Sequence, residues 1–119
     1  MRTLVIRLSS ISDARARFVN AGQKALEGTL VPATPSVNFL SYDDMHKILA
    51  PLRLAIVKAM AGQGPLAIRE VARRVGRDVQ AVHKDVTTLV NAGVLDRTDA
   101  GVEFPYDQLH FEFDVKAAA

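Results

Sequence analysis

Residues Thr3–Leu8, "TLVIRL", place Leu4, Ile6 and Leu8 on one side of a short β-branched run, which predicts a strand. The pattern then changes to helical spacing. Ser12 can cap a first turn, Ala14, Phe18, Ala21 and Ala25 form a narrow stripe, and Gly28 suits the position after a helix end, so residues 12–27 read as a helix. "TLVPATPSVNFLS" has two prolines and no helical period, and reads as an extended linker. Ser41 is a good N-cap for "YDDMHKILA", with Asp43 and Asp44 where the helix dipole favours negative charge. Pro51 suits the first turn of the next helix, whose apolar face reads as Leu52, Ala55, Ile56, Ala59 and Met60.

The following stretch is the most ordered in pattern. Ile68, Val71, Ala72 and Val75 recur at i, i+3, i+4 and i+7, predicting a helix over 68–75 with Arg69, Glu70, Arg73 and Arg74 outside. Its N-cap position holds Ala67, which supplies no side-chain acceptor. After "GRD", Val79, Val82, Val86, Leu89 and Val90 gather on one side of a second helix over 79–92, capped by Asp78 and closed by Gly93. Gln80, Ala81, Lys84, Thr88 and Asn91 centre on the other side with Thr87 beside them, and His83 and Asp85 fall on the margins. Asp85 is expected to pair with a nearby arginine. Two helices around so short a turn make a helix-turn-helix. "VLDRT" and "VEF" around Asp99-Ala100-Gly101 predict a hairpin, and residues 108–115 alternate cleanly as a further strand.

Composition narrows the chemistry. The chain has 119 residues, enough for a single modest core, and no apolar run long enough to cross a bilayer. With no secretory leader pattern at the N-terminus, the cytoplasm is the expected compartment. The absence of cysteine excludes disulfides and thiolate sites, and the three histidines, His46, His83 and His110, lack ligand-like spacing, so neither metal nor cofactor is expected. GxSxG, a phosphate loop and HExxH are all missing, and no enzymatic activity is expected. The formal net charge is +2, but residues 62–93 carry five basic and three acidic side chains while 94–119 carry two and six. A basic body with an acidic C-terminal part is compatible with nucleic-acid binding without requiring it.

The order helix, helix, turn, helix, hairpin, together with "LAPLRLAIVKAM" and "IREVARRVGRDVQAVHKDVTTLVNAGVLDRT", resembles winged helix-turn-helix transcriptional regulators of the ArsR/MarR type. Within them it is similar to small prokaryotic regulators of the antitoxin type, on Arg69–Ala72, Gly76–Asp78, Val82–Val86, Leu89, Gly93–Leu95 and the "PYD" of Pro105–Asp107. The resemblance covers residues 41–113. It implies a winged helix-turn-helix domain with a C-terminal strand over 41–119. With the strand, helix and linker read from the residues over 1–40 as an N-terminal arm for dimerisation or partner binding, the expected fold is α+β.

It also implies that helix 79–92 lies in the major groove, with Gln80, Ala81 and Lys84 towards bases and His83 at the margin. Gln suits adenine and Lys suits guanine. Arg69, Arg73, Arg77, Thr87 and Thr88 become phosphate contacts that set register. The implied function is repression of the protein's own operon by a homodimer on double-stranded DNA, with a cognate toxin as a further partner. The competing expectation is a winged-helix interaction module that neutralises a partner protein without specific DNA binding. The hairpin, with Asp96, Asp99 and Glu103 against Arg97, is poor chemistry for a phosphate clamp. The strands at 3–8 and 108–115 each need a cover and are expected to pair, within a subunit or across a two-fold.

Overall fold

A computed structural model describes residues 1–8, 34–115 and 117. The helix expected over 12–27 lies outside the described residues. Chain order is β1 (Thr3–Leu8), β2 (Ser36–Phe39), α1 (Tyr42–Ile48), α2 (Pro51–Met60), α3 (Ile68–Val75), α4 (Val79–Asn91), β3 (Asp96–Thr98), β4 (Gly101–Glu103) and β5 (Gln108–Glu112). The fold is α+β, with four helices among the described residues.

The first strand forms the middle of a three-stranded parallel sheet of order β2-β1-β5. Leu4 and Ile6 stand opposite Leu109 and Phe111 of β5; Leu4 and Ile6 belong to the core and Leu109 packs against it, while Phe111 is exposed. The expected pairing of the two terminal strands is thus made within one chain. Two boundaries differ from the sequence reading. Part of the extended linker is strand β2, whose Phe39 is buried; four residues are too few to show a period, and Pro35 just before them argues for a loop. The last strand stops at Glu112, which pairs with Arg7.

The "PYD" segment fastens the start of β1 to the rest of the chain. The Asp107 carboxylate accepts the Arg2 amide at 2.8 Å, the Asp107 amide donates back to the Arg2 carbonyl at 2.8 Å, and the Arg2 guanidinium lies over the Tyr106 ring. The Tyr106 carbonyl accepts from the Gly62 amide, where positive φ ends the α2 turn.

Helix starts follow their capping chemistry. Ser41 accepts from the Asp44 amide at 3.1 Å and Pro51 opens α2, whereas Ala67 leaves α3 without a side-chain cap. The apolar face of α2 is turned by about one position from that expected. Ile56, Val57 and Met60 are buried, while Leu52 is 58 % exposed and Ala55 lies outside. Apolar residues run almost all round this helix, so periodicity alone could not orient it. On α4, Val82, Val86 and Leu89 are buried, but Val79 at the first turn is exposed.

The hairpin β3–β4 pairs Thr98 with Gly101 and gains a third member through Leu66, which exchanges two 2.8 Å backbone hydrogen bonds with Val102. Gly101 has φ +137°, and a Cβ there would stand 2.2 Å from the Leu66 carbonyl oxygen. Glycine is required at that crossing. Val102 and Phe104 then enter the core beside Val94 and Leu95.

Candidate nucleic-acid interface

The turn between α3 and α4 is built from three local devices. Gly76, in the left-handed region at φ +68°, returns its amide to the Ala72 and Arg73 carbonyls and stops α3. The Arg77 amide donates to the Ala72 carbonyl at 3.1 Å, and Asp78 caps α4 by accepting from the Ala81 amide at 3.1 Å. Burial of Val71 and Ala72 with Val82 and Val86 in one core then holds the two helices together. This turns Gln80, His83, Lys84 and Asn91 to solvent, with Ala81, Thr87 and Thr88 half-buried at the edges of the same face.

Two carboxylates near this face, Glu70 and Asp85, are held by arginines, while the exposed Asp78 at the helix start is bound to the Ala81 amide. Glu70 on α3 accepts from Arg73 through Nε at 2.9 Å and through Nη2, and from Arg74 Nε at 2.9 Å. These bonds, Arg73's first, hold the Glu70 carboxyl down at about 2, well below its ordinary 4.5. The same bond raises the Arg73 pKa, so its charge is secure. Arg74 also reaches Gln63 Oε1 at 2.9 Å.

Asp85, on the other margin, lies between Arg53 Nε of α2 at 3.1 Å and Arg77 Nη1 at 2.8 Å. The expected arginine partner is therefore a pair of them, one on α2 and one in the turn. Arg77 meets Asp85 as an ion pair without an aligned hydrogen bond from that nitrogen. Arg53 also donates to the Lys47 carbonyl at 2.6 Å, so α1, α2, the turn and α4 are tied at one point.

The nine residues singled out in the sequence fall into three groups. Arg69, Gln80, His83 and Lys84 are exposed and free to approach a ligand, and Ala81 lies between them on the α4 surface. Arg73 is 71 % exposed at its side chain, and Arg69, Glu70, Arg73, Arg77 and Val79 line a groove of about 500 Å³ beside the start of α4. Arg77, Thr87 and Thr88 are committed within the chain. The Thr87 and Thr88 hydroxyls donate to the His83 and Lys84 carbonyls at 2.9 and 3.1 Å, so a phosphate could take their protons only if those hydroxyls rotated away.

One cation was missed. Arg97 of β3 reaches from the hairpin to Thr87 Oγ1 at 3.4 Å, adding a positive charge beside the α4 face. Its neighbours Asp96 and Asp99 in sequence hid it, because alternation along a two-stranded ribbon, not local charge sum, decides which side chain meets the helix.

Among the described residues no helix is long and apolar enough to cross a membrane. Residues 48–111, just over half the chain, match the family model described as HVO_A0114. That stretch runs from the end of α1 into β5 and contains the whole surface described above. No curated protein and no solved structure matches the chain.

Proposed function

The chain belongs to the HVO_A0114 family, and from the surface carried by the matched segment we propose that it is a sequence-specific DNA-binding transcriptional regulator of the winged helix-turn-helix type. In this reading α3, Gly76–Asp78 and α4 are the helix-turn-helix, and β3–β4 with the Leu66 bridge are the wing. The first half of α4 enters the major groove, with Gln80 and Lys84 meeting base edges and His83 at the margin. Arg69 and Arg73 hold phosphates on one side and Arg97 on the other. A homodimer reading two half-sites at its own promoter, as a repressor, supplies the affinity that one small module lacks.

The observation that supports this reading is the pairing of charges. The exposed face of α4 has no carboxylate of its own; of those flanking it, Glu70 and Asp85 are each neutralised by two arginines, and Asp78 at the first turn caps the helix through the Ala81 amide. A polyanion approaching the middle of α4 meets Lys84 with neutral donors, and Arg69 beside it on α3. A second reading, an interaction module that neutralises a toxin-like protein, draws on the hairpin instead, where Asp96 and Asp99 are exposed and face any ligand with negative charge.

Electrophoretic mobility shift on the protein's own upstream DNA separates the two. Specific binding that weakens steeply with salt is expected, because each neutralised phosphate releases counterions. No shift at low salt on cognate or random duplex would remove the DNA reading and leave the interaction module.

A further inference from the structure

The three strands of the parallel sheet are not equally finished at their edges. β2 is four residues long, follows Pro35 and ends on buried Phe39. β5 has Gln108, His110, Phe111 and Glu112 exposed, with neither lysine nor proline along it. Such an edge is normally blunted by exactly those residues. Its apolar face also runs out uncovered. Leu109 and Phe111 continue the Leu4–Ile6 face of the core, yet Phe111 is 38 % exposed, and beside it a groove of about 320 Å³ opens between β5 and Leu54 and Val57 of α2 with Ala61 just after it.

We propose that the outer edge of β5 joins a second copy of this chain as an antiparallel strand pair about a two-fold axis through Phe111. This deepens the dimeric regulator proposed above by naming its interface, although the sheet argues for it with or without DNA. A two-fold perpendicular to the sheet keeps each face on its own side, so only registers centred on a residue are open. Centring on His110 sets that histidine against itself, and centring on Glu112 sets two carboxylates together. Centring on Phe111 places Phe111 against Phe111, Leu109 against Phe113, His110 against Glu112 and Gln108 against Asp114. Every pair is then apolar with apolar or charge-compatible. The partner's Leu109 and Phe111 would extend the core face over the groove. Glu112 lies 3.5 Å from Arg7 through one oxygen, which leaves its other oxygen for the partner's strand.

Sedimentation velocity of the full chain without DNA tests this. The wild-type chain should sediment as twice its 12.9 kDa, and Phe111→Asp should sediment as a monomer. Because Phe111 also touches Phe113, two variants at the exposed His110 guard against misfolding as the cause. His110→Glu should weaken self-association about tenfold, since two like-charged pairs now face each other across the two-fold, whereas His110→Lys should keep it. A wild-type monomer at the highest soluble concentration, or a dimer indifferent to Phe111→Asp, overturns the interface. Equal behaviour of the two His110 variants overturns the register. A parallel mobility shift keeps the two proposals apart: a dimer that binds no DNA leaves this interface standing, and a monomer that binds DNA removes it alone.

Discussion

Glu70 is held by Arg73 and Arg74 on the surface of α3, and its carboxyl titrates at about 2 instead of its ordinary 4.5. A carboxylate whose pKa is lowered on folding stabilises the fold above its unfolded pKa and loses that contribution as pH falls through the folded value. Thermal unfolding of Glu70→Gln should therefore lie below wild type near neutrality, and the gap should close between pH 4.5 and 2. On the α4 face, single side chains separate reading from holding. Lys84→Ala should relax base preference at one or two operator positions, by about 1–3 kcal/mol. Arg73→Ala should weaken all duplexes alike and flatten the salt slope by about 1. Titrations of cognate and scrambled duplexes at several salt concentrations check both, and a Lys84→Ala protein with unchanged specificity would take α4 out of the groove.

Elements are oriented here by a few non-periodic contacts. The Arg53–Asp85–Arg77 tie joins α2, the turn and α4, and the Leu66–Val102 exchange joins the hairpin to the segment before α3. The second depends on Gly101. Alanine there would put a Cβ against the Leu66 backbone at positive φ, and the hairpin would have to move away. Gly101→Ala should cost about 2–4 kcal/mol, from overpacking and backbone strain together. Chemical denaturation measures it, and loss of amide protection at Leu66 and Val102 would place the damage. Helix α3 and its turn were legible in the sequence because period and caps are local. The rotation of α2 was not, since several apolar arcs on it were available and only the neighbours select one.

At the scale of the whole molecule, the first strand is part of the core. β1 is the central strand, Ile6 is fully buried, and Leu4, Ile6 and Phe39 belong to the same cluster as Ile56, Leu89 and Phe104. Ile6→Ala should destabilise the protein by about 2–5 kcal/mol, as cavity formation in a packed core does. Removal of residues 1–40 should cost more, because β5 loses its partner and Leu109 its cover. Circular dichroism of the truncated chain would then show a broad, weakly cooperative transition. A sharp transition at the wild-type temperature would mean that residues 41–119 fold alone.

The amino-acid order determined what depends on near neighbours: the capped starts at Ser41 and Asp78, the glycine stop at Gly76, the buried stripe of α4, the hairpin, and the strand character of residues 3–8. It also marked the polar face of α4 and foresaw that Asp85 would be paired. Only the tertiary structure decided that the terminal strands run parallel with β2 beside them, that Asp85 takes two arginines, and that Arg97 comes up against α4. Those outcomes depend on residues up to 105 positions apart, as in the bond from Arg2 to Asp107. Capping and periodicity act within a turn or two of chain, whereas strand partnership and ion pairing are selected by which surfaces the closing core brings within a few ångströms of one another.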